Sequence, residues 1–344
     1  MVYTVFIATL TKNFKVKIAK KNLKEERIVY KPFEYPEAFD YWLKQQQAHW
    51  IHTEVPMMSD INDWKQNLNE TEKNIIGSIL KGFAQTETVV NDYWTGLVTK
   101  WFRKPEIIAM ATTFGAMETI HAEAYSLLNE ELGLDDFSEF LEDETTMAKI
   151  DNLMSVRDSF NGEKDWHEIA KSLAIFSAFT EGVNLFSSFA VLLSFKLRNK
   201  LKGVGQIVEW SIRDESMHSE AGCWLFRTLV KENPQLDTPE LKTAITEAAL
   251  LSLQLELDFI EKVYEMGDLE GCSKDDLISF IKHRVNTKMG DLGYDGVVNG
   301  IDPTALKRMK WFDSLSAGKQ HTDFFANRVT NYSKGHLQWD ESIF

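Results

Sequence analysis

Apolar residues recur at three- and four-residue spacing through most of the chain, and strict alternation is rare, so the hydrophobic pattern reads as helix. "NETEKNII" sets Asn69 three residues before Glu72, a capping-box arrangement that starts a helix expected to run to about Lys100. Pro105 opens a second helix, expected to reach the C-capping Gly133. A third fits from about Asp165 to Lys200 and a fourth from about Val204 to Glu232. In "DTPEL", Thr238 as cap and Pro239 at the first position start a fifth, ending near Gly267, and Ser273 caps a shorter one. The 7 prolines fall mostly between these segments, and no Gly/Ser-rich linker divides the chain. The expectation is an all-α protein with one helical domain over residues 36–314. An N-terminal extension, 1–35, precedes it, and a polar tail, 315–344, expected to be mobile, follows.

Four carboxylates interrupt the apolar faces of these helices. Glu118 and His121 in "METIHAEAY" are three apart, as are Glu215 and His218 in "RDESMH". That spacing sets two side chains about 60° apart around a helix, so both reach one point. Taken singly, such a pair is more often an accident or a surface ion pair. Each pair, however, follows a helix that carries a lone glutamate in an apolar run: Glu87 in "KGFAQTETVV" and Glu181 in "LAIFSAFTEGVNLFSSFAVLL". One lone Glu and one Glu-x-x-His from each helix pair is the ligand set of a ferritin-like dinuclear carboxylate bundle. Four buried carboxylates are intolerable unpaired, and two divalent metals neutralise them. Oxygen-rich ligation favours iron or manganese over structural zinc.

Composition narrows the class. The 344 residues are 44% hydrophobic and 26% charged, a globular balance, and the net charge of -14 argues against a nucleic-acid partner. Cys223 and Cys272 are too few for a disulfide framework and lack zinc spacing, which points to a reducing, cytoplasmic setting. No apolar run approaches the roughly 20 residues of a membrane span. The lysine-rich "TKNFKVKIAKKNLKEER" reads as a solvated extension and not as a targeting peptide.

Tyr125 lies four residues after His121, on the same face one turn further along. A core tyrosine is usually packing alone; beside an oxygen-activating metal pair it can also be oxidised by one electron. Leu185 and Phe189 are expected to shelter it, and Ser211 to add a polar contact.

With these motifs in place, the sequence resembles the small, radical-generating subunit of class I ribonucleotide reductases, from about Trp50 to the C-terminus. The resemblance implies a ferritin-like homodimer working with a separate large subunit that reduces ribonucleotides. It implies that Glu87, Glu118 and His121 hold one metal, that Glu181, Glu215 and His218 hold mainly the other, and that some carboxylates bridge. It implies a tyrosyl radical at Tyr125, and Asp214 linking His121 to a tryptophan on the radical path. Trp50 matches that tryptophan best, with Trp42 and Trp64 as nearby alternatives. In "RVTNYSKG", Tyr332 matches a tail tyrosine that relays the radical, and "QWDESIF" resembles the docking tail. Glu87 departs from the aspartate of many members and is similar to the branch with a manganese–iron centre. That branch replaces the radical tyrosine, which this chain keeps, so di-iron, di-manganese and mixed centres all stay open. The rivals are a ferritin-like ferroxidase, which needs no Tyr125 or tail, and a di-metal monooxygenase or oxidase, for which the tail has no purpose.

Overall fold

The computed structural model describes residues 21–134, 143–158 and 165–316 of the chain. Among them no strand forms. The main helices are α1 (Pro36–Gln47), α2 (Glu70–Asp92), α3 (Pro105–Leu132), α4 (Glu144–Asp158), α5 (Trp166–Ile175), α6 (Phe186–Leu197), α7 (Lys202–Glu232), α8 (Pro239–Glu265) and α9 (Lys274–Leu292). The short α10 (Pro303–Arg308) and α11 (Lys310–Ser316) follow. None is long and apolar enough to cross a membrane.

Local chemistry sets the helix ends. Asn69 Oδ1 accepts the Glu72 N–H at 2.8 Å and Glu72 Oε2 accepts the Asn69 N–H at 3.0 Å, so two donors at the start of α2 are satisfied reciprocally. α3 starts at Pro105 and stops on Gly133 at φ +70°, a left-handed conformation that costs glycine nothing. Thr238 and Ser273 accept from the N–H groups of Leu241 and Asp276, capping α8 and α9 as their positions predict.

The expected helix from 165 to 200 is corrected to two. α5 passes through a wide turn at Phe176–Thr180, residues 181–185 are irregular, and α6 then resumes. Glu181 N–H donates to Phe176 O and Asn184 N–H to Phe179 O, both at 3.0 Å and five residues back, so the ladder widens before it breaks. Apolar periodicity reports which face is buried and not the hydrogen-bond register, so the break is hidden in the sequence. The first long helix is likewise regular only to Asp92, then wide over Tyr93–Val98, ending at Trp101.

The described part of the N-terminal extension is exposed along most of its length, as expected of a solvated segment, but it is anchored to the helices at a few points. Leu23 is buried, Arg27 pairs with the buried Glu106, and Glu106 Oε1 accepts the N–H groups of Glu34 and Tyr35 at 2.9 and 3.1 Å. Glu106 stands in the first turn of α3, where a carboxylate suits the helix dipole and draws the basic segment onto it. Of the expected tail, residues 315 and 316 end α11; Tyr332 and "QWDESIF" lie outside the described residues.

α2 packs along α3, and α7 packs against α5, the wide turn and α6, giving two facing helix pairs. Between them Phe114, Tyr93, Trp94, Phe176, Phe179, Phe186 and Phe189 are almost fully buried. Each such side chain contributes about 1.5–3 kcal/mol of burial free energy. That dry interior is where the four carboxylates lie.

Candidate metal centre

Glu87 enters from α2, Glu118 and His121 from α3, Glu215 and His218 from α7, and Glu181 from the irregular segment after the wide turn. None of the six is more than 3% exposed. Their donor atoms form two groups, each with all its atoms within 4.8 Å of one another: Glu87, Glu118, His121 and Glu215, and Glu118, Glu181, Glu215 and His218. Glu118 and Glu215 belong to both groups and so stand between them. His121 Nδ1 lies 3.0 Å from Glu118 Oε2 and 3.0 Å from Glu215 Oε1. His218 Nδ1 lies 2.7 Å from Glu118 Oε1 and 3.8 Å from Glu181 Oε2.

These donors fit a pair of cations. Both Glu87 oxygens, Glu118 Oε1, Glu181 Oε2, Glu215 Oε1 and His218 Nδ1 are buried and make no well-formed hydrogen bond; the close Glu118–His218 and Glu215–His121 approaches are ion-pair contacts only. Polar atoms without hydrogen bonds are costly in an apolar interior, and six converging on two points call for positive charge. The proton affinities say the same. Burial pushes the Glu87 and Glu181 carboxyls well above the ordinary range, and Glu118 and Glu215 respectively push them further. Glu215 is pushed up to about 8, by burial and then by Glu118. Burial also raises Glu118, but His218 and His121 outweigh it and hold that carboxyl at about 2. Both imidazoles are raised in spite of burial, chiefly by Glu118. Without metal, protons take the places that cations would fill.

A hydrogen-bonded layer fixes the two imidazole rings from outside. Asp214 Oδ2 accepts His121 Nε2–H at 3.2 Å and the Trp50 indole N–H at 2.8 Å, and the two rings stack with centroids 5.7 Å apart. Gln45 Nε2 donates to Asp214 Oδ1 at 3.1 Å, and Gln45 Oε1 accepts His218 Nε2–H at 3.1 Å. Both histidines therefore present Nδ1 inward, with their tautomers set by partners on Nε2. Of the three candidate tryptophans only Trp50 joins this layer. Trp42 stacks on Phe39, and Trp64 lines a separate polar cavity of about 670 Å³ with Lys73 and Lys262.

Two residues of this layer were not foreseen. Gln45 shares a buried face of α1 with Ala38 and Tyr41, so its periodicity marked it as a polar residue in an apolar stripe. Trp94, whose indole N–H donates to Glu181, follows Glu87 by two turns.

Tyr125 is fully buried, its ring 4.7 Å from that of Phe83, which in turn contacts Phe189 at 5.2 Å. Its hydroxyl makes no hydrogen bond. Burial pushes the phenol well above its ordinary value and the Glu87 carboxylate adds to this; His121 and the Ser211 hydroxyl beside it offset the rise only in part. Leu185, expected to shelter the phenol, instead lines a cavity of about 20 Å³ with Thr86, Thr180, Asn184, Glu181 and Glu215, a lining that does not include Tyr125.

Residues 27–303 match the family described as "Ribonucleotide reductase, small chain". A protein of Invertebrate iridescent virus 3 named "Probable ribonucleoside-diphosphate reductase small subunit" is 34% identical over 335 residues, covering 92% of this chain and 87% of that protein. The ribonucleoside-diphosphate reductase subunit beta of Chlamydia pneumoniae is 26% identical over 320 residues, covering 90% and 91%. Among solved structures, the ribonucleotide reductase R2 subunit from Clostridium botulinum superposes with a TM-score of 0.72 at 19% identity, over 82% of this chain and 89% of that one. The dimanganese(II)-NrdF of Streptococcus sanguinis superposes with a TM-score of 0.69 at 22% identity, over 83% and 99%. The two structures share the ferritin-like helical fold.

Proposed function

The chain belongs to the family of ribonucleotide reductase small chains, and from that premise we propose how its own residues carry out the family's task. It is the radical-generating subunit of a class I ribonucleoside-diphosphate reductase and holds a dinuclear metal site. The ferroxidase and monooxygenase readings are not favoured. In the proposal Glu87 and His121 would hold one ion and Glu181 and His218 the other, with Glu118 and Glu215 available to both. The observation that carries this assignment is the pair of donor groups sharing those two glutamates, with buried atoms that make no well-formed hydrogen bond.

Two iron or manganese ions, when bound, supply the oxygen chemistry that draws one electron from a nearby phenol. Tyr125 is that phenol in this reading. Its raised proton affinity keeps it neutral at ordinary pH, so electron and proton leave together. Phe83 packs against it and keeps water from the product. Trp50, Asp214 and His121 then form a hydrogen-bonded line leading away from the centre. An indole that gives up an electron can hand its N–H proton to the Asp214 carboxylate while the stacked His121 ring carries the contact inward. Gln45 holds Asp214 in place and joins the second histidine to the same line.

A small chain works with a large catalytic subunit. From the sequence we place the docking segment in "QWDESIF", with Tyr332 upstream as the relay. A homodimer and a cytoplasmic location belong to the same proposal.

Metal analysis tests the ligand assignment. The wild type is expected to hold about two iron or manganese ions per chain, and Glu118→Ala, which removes a donor from both groups, to lose most of this content. A Glu118→Ala chain with undiminished metal would rule the assignment out.

A further inference from the structure

Glu181 differs from the other five donor residues in its backbone. They sit inside regular helices, whereas Glu181 follows the wide turn and opens the irregular segment 181–185. Leaving the helical ladder frees buried backbone groups, and each needs another partner. Ser177 O is taken by the hydroxyl of Ser219, the neighbour of His218, at 2.6 Å. Phe186 N–H, which would reach Gly182 O in a regular helix, donates to Val183 O at 3.0 Å instead. Gly182 O is left over, and Arg284 Nε from α9 donates to it.

Arg284 spends its guanidinium in an unusual way. The group lies over the Phe186 ring, 3.1 Å from its centre, and no carboxylate pairs with it among the described residues. A guanidinium fork is ordinarily matched to a carboxylate or phosphate. Here its hydrogen bond goes to one backbone carbonyl, a single residue from a ligand. The segment is also pressed against its neighbours. A Cβ on Gly182 would stand 2.2 Å from Ala178 O, 2.7 Å from Lys288 Cδ and 2.8 Å from Ser219 Oγ, so the chain has no room to shift toward them.

We propose that Arg284 is a positioning residue for Glu181: by tying Gly182 O to α9 it fixes the backbone from which the Glu181 carboxylate reaches the donor group of His218. The proposal rests on the ligand assignment above. Glu181 belongs to that group alone, whereas Glu118 and Glu215 serve both. Loosening Arg284 therefore weakens one metal position and spares the other, which general loss of stability does not do.

The test is a Mn(II) titration of the full chain, followed by calorimetry and EPR, on the wild type, Arg284→Met and Arg284→Lys. Methionine keeps an apolar stem over Phe186 without a donor; lysine keeps charge and a donor without the fork. For Arg284→Met the first ion is expected to bind within about twofold of wild type and the second about tenfold more weakly. The EPR pattern of isolated Mn(II) should then persist at metal ratios where the wild type shows the coupled pair. Arg284→Lys should fall between the two, and it carries the same comparison if Arg284→Met does not fold. Equal weakening of both steps, or an unaltered second step, would overturn the proposal. A wild type that binds fewer than two ions would instead overturn the ligand assignment, before any variant is measured.

Discussion

Glu118 has the most contested position in the molecule, between two imidazoles and facing two other carboxyls, and its environment makes a prediction about pH. In the metal-free fold Glu87, Glu181 and Glu215 keep protons at a pH where the unfolded chain has released them. The folded state then binds more protons, so stability falls as pH rises. The window opens at the ordinary carboxyl value of 4.5 and extends at least to about 8, where Glu215 titrates. His121 and His218 are also raised and act in the same direction. Glu118, held at about 2, opposes this only below 4.5, where its contribution fades as pH falls. The Tm of the metal-free chain is therefore expected to drop between about pH 5 and about pH 8, and added Mn(II) to reverse the slope, because the metal displaces protons. A flat profile without metal would show that the carboxyls are not crowded. The convergence of these six residues was legible because Glu-x-x-His occurs twice in apolar runs, each time after a helix that carries a lone buried glutamate. Gln45 and Trp94 were not, because a hydrogen bond to a residue far along the chain leaves no local spacing to read.

Among the helices, ends were more legible than interiors. Asn69 with Glu72, and Thr238, satisfy backbone groups within a few residues, while Pro105, Pro239 and Gly133 suit the backbone geometry of a helix start or stop by themselves, so sequence alone locates these ends. The break at Glu181 depends on donors from α7 and α9, Ser219 and Arg284, which the local sequence cannot show. The cap of α2 gives a direct test at this scale. Asn69→Ala removes one side of the capping box while leaving Arg198 on Glu72 at 2.6 Å. It is expected to cost about 1 kcal/mol, read as a lower urea midpoint at unchanged slope. Metal content should not change, since Glu87 lies more than four turns further along. An unaltered midpoint would mean that the start of α2 is held by its packing instead.

For the whole molecule, the fold has one consequence: it brings four carboxylates and two imidazoles from distant stretches into one dry core, beside a buried phenol. The all-α class and this convergence were readable from helical periodicity and the repeated Glu-x-x-His. The anchoring of residues 21–35 was not, because the pairing of Arg27 with Glu106 spans most of a hundred residues. The central claim is that the metal pair makes a radical on Tyr125. The most direct measurement is EPR, with metal analysis, on aerobically reconstituted wild type and Tyr125→Phe. The substitution removes only a hydroxyl and conserves volume, so fold and metal content should stay as in the wild type. The wild type is expected to show a tyrosyl signal that Tyr125→Phe lacks, along with loss of nucleotide reduction in the presence of the large subunit. A tyrosyl signal that survives in Tyr125→Phe, or full turnover without one, would contradict it.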